Sequence, residues 1–132
     1  MIGLDTGILL RLFECGKTPY AAAAENLIAH AGSEGACFVH PLVLAEIAWT
    51  LERTFKLERS TVADYLELIL RAPEFTFSGA EEAIRAVERF REGLAHFSDC
   101  FLAELNLAAG CETTVTFDVC AAESAGFTLL AS

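Results

Sequence analysis

The sequence predicts an α/β fold, a parallel sheet with helices on both faces. Three observations carry that prediction. Short apolar runs alternate with longer amphipathic ones along the chain. The short runs read as continuous, as strands buried on both faces do. Two of them, at residues 1–4 and 113–117, lead straight into Asp5 and Asp118. In open parallel sheets, ligands bind outside the carboxyl ends of the strands.

Taken in order, residues 1–4 form the first strand and residues 7–13 a brief helical turn. Thr18-Pro19 reads as an N-cap followed by proline at the first helical position, opening a helix to about Ala31. Residues 32–35 turn the chain into a second strand at 36–40, with the β-favouring Phe38 and Val39. Pro41 opens a helix to about Phe55, with Val43, Ile47, Ala48 and Leu51 as its apolar stripe. Ser60 starts another helix, and residues 74–77 are a short extended piece. Ser78-Gly79-Ala80-Glu81 reads as a capping box for a helix to about Arg91. Ser98 reads as the cap of the next helix, which Gly110 ends as its C′ residue. Residues 113–117 are a strand, 121–125 a short helix, and Gly126 turns the chain into a last strand at 127–130. No repeat or linker interrupts this order, and right-handed crossovers fix most of the topology.

The 132 residues fit a single domain spanning 1–132, long enough to bury ~68% of the unfolded chain's surface. A hydrophobic fraction of 54% excludes a disordered chain. No apolar run approaches the ~18 residues needed to cross a bilayer. The N-terminus lacks the basic region and long apolar stretch of a signal peptide. The expectation is a soluble, cytoplasmic protein. The five cysteines, Cys15, Cys37, Cys100, Cys111 and Cys120, are odd in number and contain no Cys-x-x-Cys pair. That pattern indicates neither a disulfide framework nor a zinc knuckle, and fits reduced thiols acting as small hydrophobes. The net charge of −10 argues, at face value, against nucleic acid as a partner. Bound divalent cations or a local basic rim would reverse the sign where it matters.

Four acids stand out by setting. Asp5 and Asp118 end strands, Glu46 lies in the first turns of an otherwise apolar helix, and Asp99 follows Ser98 at a helix start. Strand ends of a parallel sheet and the helix starts that follow them lie on one edge, so the four can converge. Taken singly, each has an ordinary explanation. Asp99 complements a helix dipole, Asp5 and Asp118 form turns, and Glu46 is solvated. Taken together, their electrostatics decide what they can do. Two carboxylates ~4 Å apart repel by roughly 4 kcal/mol at an effective dielectric of 20. Two divalent ions would neutralise the four charges, and oxygen-only ligands suit Mg²⁺ or Mn²⁺. Such a metal pair activates water and stabilises the leaving oxygen in phosphodiester cleavage.

Leu4-Asp5-Thr6-Gly7-Ile8-Leu9-Leu10-Arg11, Pro41-Leu42-Val43-Leu44-Ala45-Glu46, Phe97-Ser98-Asp99-Cys100-Phe101-Leu102-Ala103 and Thr116-Phe117-Asp118 resemble the four acidic motifs of PIN domains. They are most similar to those of the VapC-type ribonuclease toxins of type II toxin–antitoxin pairs. The resemblance covers the length of the chain. It implies a three-layer α/β/α sandwich with a central, mainly parallel sheet, and Mg²⁺- or Mn²⁺-dependent endoribonuclease activity on RNA. It also implies a cognate antitoxin that blocks the site, and a homodimer. Carried over by position, Asp5 and Asp99 would be the principal metal ligands, directly or through water. Glu46 and Asp118 would complete the acidic catalytic pocket, supported by the Thr6 and Thr116 hydroxyls. Gly7 stands where the family usually has asparagine, His96 where an additional aspartate is common, and Val119 where a charged residue is frequent.

The basic residues are scattered. Arg85, Arg89 and Arg91 read as a solvated helix face, with Arg85 paired to Glu81 or Glu88. Arg11, close to Asp5, is the candidate for a phosphate or for the antitoxin's acidic tail. Trp49, Phe13, Phe55 and Phe101 read as core or dimer contacts rather than base-stacking platforms. A haloacid-dehalogenase-type phosphatase would need an aspartate where Gly7 stands. A receiver domain would need a late lysine, whereas Lys17 and Lys56 are both early. The alternative from a different class is a catalytically silent PIN-like domain that only binds a partner.

Overall fold

A computed structural model describes residues 1–13, 18–31 and 34–131, with seven helices and five short strands among them. In chain order these are β1 (Ile2–Gly3), α1 (Thr6–Arg11), α2 (Pro19–Ala29), β2 (Cys37–Val39), α3 (Pro41–Arg53), α4 (Arg59–Arg71), β3 (Phe75–Phe77), α5 (Ala80–Glu92), α6 (Phe97–Ala108), β4 (Val115–Thr116), α7 (Val119–Ser124) and β5 (Thr128–Leu129). Cys15, Lys17 and half of the turn expected at 32–35 lie outside the described residues.

The expected parallel sheet is present as three central strands in the order β1-β2-β3. Cys37 pairs with Ile2 on one side and Phe75 on the other. β4 and β5 form a second parallel pair, with Val115 opposite Thr128 and Thr116 opposite Leu129. The architecture is the expected α/β sandwich. Among the described residues no ladder hydrogen bond joins the three-stranded sheet to the β4–β5 pair. No helix among the described residues is long and apolar enough to cross a membrane.

Where local chemistry dictates a helix end, the structure follows it. Thr18 Oγ1 accepts from the Ala21 amide at 3.1 Å and Pro19 opens α2. Pro41 opens α3, with His40 Nδ1 accepting from the Leu42 amide at 3.0 Å. Gly110, with φ of +102°, follows the last turn of α6 as the left-handed residue that frees the chain from the helix. The buried stripe of α3 is Leu44, Ile47, Ala48 and Leu51, while Val43 is only half-buried.

Two expected caps are corrected. The N-cap of α5 is Gly79 rather than Ser78, with φ of +75° and no side-chain cap bond. A left-handed residue is needed there because the chain turns hard against α6. A Cβ on Gly79 would meet Leu105 Cδ2 at 3.0 Å. The N-cap of α6 is His96, so Ser98 falls inside the first turn. Burial of Phe97 sets this earlier start. Its ring lies in a fully buried stack with Phe90 and Phe101, at centroid distances of 6.2 and 5.3 Å.

That stack holds α5 against α6, and Arg59 ties α4 to the connection between them. Its guanidinium donates to the carbonyls of Phe90, Ala95 and Leu94 at 3.0, 2.7 and 2.9 Å, and lies 4.4 Å over the Phe90 ring. One side chain thereby satisfies one carbonyl in the last turn of α5 and two in the link to α6. The arginines of α5 also reach across rather than along their helix. Arg85 pairs with Glu104 on α6 at 2.9 Å, where the sequence suggested Glu81 or Glu88. Arg91 pairs with Asp64 and Glu67 on α4 at 2.8 and 3.2 Å. Of the described cysteines, Cys37 and Cys100 are buried and all four are free, as expected.

Candidate active site

β1 and β2 are parallel neighbours, so the helices that follow them begin side by side. That placement brings α1 and α3 together at the carboxyl edge of the sheet. Asp5 follows the buried Leu4 and is the N-cap of α1. Its carbonyl accepts from the amides of Ile8 and Leu9, at 3.1 and 3.5 Å. Its exposed carboxylate makes no cap bond to the helix. Thr6, the next residue, is buried, and its Oγ1 donates to Glu46 Oε2 at 2.9 Å. Glu46 lies on the exposed face of α3, held by a hydroxyl from the preceding βα unit. The support for the pocket expected of Thr6 is therefore a direct hydrogen bond.

The other two acids form a second group. Asp99 sits half-buried in the first turn of α6. Asp118 ends the approach from β4 and is the N-cap of α7, its Oδ1 accepting from the Cys120 amide at 2.9 Å. Thr116 Oγ1 accepts from the Asp118 amide at 3.0 Å, which fixes the turn that delivers the acid. Burial pushes the Asp99 carboxyl above the usual carboxylate range. The nearby Asp118 pushes the same way, and His96 opposes both. Asp99 is the candidate site acid on which this crowding registers.

The structure thus brings Glu46 to Thr6, beside Asp5 in the chain, and sets Asp99 within electrostatic reach of Asp118. Among the described residues, no three His, Cys, Asp or Glu side chains come together as a group able to hold a metal ion. The four acids stand as two half-sites. The donor chemistry of the Asp99–Asp118 pair still fits Mg²⁺ or Mn²⁺. These ions are commonly held by one or two carboxylates, with waters and substrate phosphates filling the remaining positions.

Three residues around this edge have settings that the sequence reading left open. Trp49, read as a core or dimer contact, is 48% exposed on α3, with the Arg53 guanidinium 4.3 Å over its ring. His96, which was assigned no role, presents its ring 5.9 Å from that of Trp49. Its Nδ1 is shut off from solvent without a hydrogen-bond partner, 3.6 Å from Glu52 Oε1. The spacing of Glu46, Trp49 and Arg53 at steps of three and four was the available signal, because it puts all three on one helix face. Phe101 is buried as expected, Phe13 packs on Tyr65 at 4.6 Å, and Phe55 is exposed. Arg11 lies 5.0 Å over the Tyr20 ring.

The family model of the PIN domain matches residues 2–123. No curated protein matches the chain.

Proposed function

The chain belongs to the PIN domain family, a family of nucleases in general, and on that premise we propose that it is a divalent-metal-dependent endoribonuclease. We further propose that it is the toxin of a toxin–antitoxin pair. The observation that carries the reading is the hydrogen bond by which buried Thr6, beside Asp5, orients Glu46, with Asp99 and Asp118 as a second pair of acids. A half-buried carboxyl held beside another acid is poised for a cation. Asp99 and Asp118 would hold Mg²⁺ or Mn²⁺, with Asp5 contributing from the end of β1. When bound, the cation supplies an activated water and charge stabilisation at the departing oxygen. The residues of the chain do the rest. Thr6 holds the Glu46 carboxylate so that it can orient a water or take its proton. Thr116 and the Cys120 amide fix where Asp118 points.

A protein partner or a second copy fits the surface. An apolar groove of about 370 Å³ runs between α1, α2, α4 and β3, lined by Leu12, Phe13, Ile28, Leu68 and Phe75. Leu68 in its wall is 63% exposed. The test is direct. Purified protein is incubated with total RNA, with and without Mn²⁺, and the new ends are mapped. Cleavage that needs the metal and disappears in Asp99→Asn supports the reading. RNA left intact under every cation returns the chain to a domain that only binds a partner.

A further inference from the structure

We infer that Trp49 and Arg53 form a stacking subsite for one base, and its phosphate, of a single-stranded RNA. The inference rests on the nuclease reading and adds to it a place where substrate is held.

The outward face of α3 is Leu42, Glu46, Trp49 and Arg53, spaced by four, three and four residues, and all four are exposed. The opposite face is fully buried through Leu44, Ile47, Ala48 and Leu51. The helix therefore has ample core contact, yet it turns its largest side chain into solvent, with 48% of Trp49 exposed. Trp49 stands one turn beyond Glu46, the acid that Thr6 holds. On its other side it meets His96, three residues before Asp99 and close enough to act on that carboxyl. The ring thus bridges the two half-sites along the surface.

The chemistry of the pair selects the ligand. An exposed indole offers a π face to any base, and an arginine beside it adds a cation–π contact and a phosphate ligand. Arg53 already lies 4.3 Å over the ring. A chain of net charge −10 has no broad basic surface for a duplex backbone. Stacking with a single cation suits an unpaired strand, because the faces of bases in a duplex are covered by their neighbours.

Trp49 is the only tryptophan, so its fluorescence reports the subsite directly. A short, unstructured single-stranded RNA is titrated into the wild-type protein in EDTA, and into Asp99→Asn in Mg²⁺. Saturable quenching of Trp49 is expected in both. Followed by the fluorescence anisotropy of a dye on the RNA, Trp49→Leu should weaken binding about 5- to 150-fold, with Trp49→Phe retaining most of it. Arg53→Gln should lower the salt dependence of binding by about one counterion. Absence of binding, binding without quenching, or equal quenching by a duplex of the same sequence overturns the subsite. So does unchanged affinity in Trp49→Leu. Should that variant not fold, the wild-type quenching still decides. Metal-dependent cleavage of RNA without quenching would remove the subsite and keep the nuclease. Quenching without cleavage under any cation would do the reverse.

Discussion

Thr6 Oγ1 donates a 2.9 Å hydrogen bond to Oε2 of Glu46, joining residues forty apart in the chain. The donor is buried and the acceptor stands on an exposed helix face. The bond does two jobs: it pins α1 to α3, and it sets the direction of a carboxylate at the site edge.

Thr6→Val separates these jobs. The shape is nearly kept and the hydroxyl is lost, so stability should fall by about 1 kcal/mol. RNA cleavage should fall further than that loss explains, because Glu46 is no longer oriented. Thermal melting and cleavage rates measured side by side check this. A variant that melts lower but cleaves at the wild-type rate would leave Glu46 outside the chemistry.

Asp99→Asn tests the crowded pair. The carboxyl of Asp99 is raised in the folded protein, chiefly by burial and then by Asp118. The native state therefore holds its proton to higher pH than the unfolded state does. The stability it contributes is complete below the ordinary carboxylate value of 3.8 and is lost as pH rises through the raised one. The asparagine variant should lack this decline and be more stable than wild type at neutral pH without metal. Its cleavage activity should fall steeply, since an amide is a poorer ligand for a hard cation. Urea titrations at several pH values give the first result. A variant less stable than wild type at neutral pH would make Asp99 a helix-start residue and no more.

Divalent cations should reverse that order. Mn²⁺ or Mg²⁺ at a hundred times its dissociation constant stabilises a native state that alone binds it by about 2.7 kcal/mol. Wild type should gain this and Asp99→Asn should gain much less. Melting curves at constant ionic strength measure the difference. Equal shifts in the two proteins would place the cation elsewhere.

Arg59→Met tests the tie between α4 and the start of α6. Methionine keeps the contact with the Phe90 ring and loses all three bonds to the Phe90, Leu94 and Ala95 carbonyls. A loss of about 2–3 kcal/mol is expected from a lower urea midpoint. A midpoint within experimental scatter of wild type would show that water replaces the guanidinium at those carbonyls.

Much of this fold is legible in the sequence where the deciding chemistry is local. Thr18-Pro19, Pro41 and Gly110 mark helix ends by backbone rules that need no tertiary information, and the structure obeys them. The caps of α5 and α6 are not legible, because tertiary packing overrides the serines. Leu105 presses on Gly79, and Phe97 joins the helix in order to be buried. Within the site, Thr6 beside Glu46 and Thr116 beside Asp118 follow from the order of the βα units and from a two-residue spacing. The exposure of Trp49 does not, since a helix rich in apolar residues does not announce which face the rest of the chain covers. Nor do the pairs of Arg85 and Arg91, whose partners lie on neighbouring helices.

The separation of the β4–β5 pair from the three-stranded sheet gives the molecule two tiers of thermal resistance. Among the bonds that hold β4 to β5, the Thr128 amide donates to the Thr114 carbonyl and the Leu130 amide to that of Thr116, at 2.8 and 2.7 Å. Ala121, Ala125 and Phe127 tie this segment to the core, while Val115, Phe117 and Leu129 are 57%, 71% and 47% exposed. A unit so lightly anchored opens at lower free energy than the whole. Asp118 travels with it, so warming should silence the protein while its helical core is still intact. Amide exchange should show Thr128 and Leu130 surrendering their protons well before Ile2 and Leu4, whose amides bond to β2 and the residue before it.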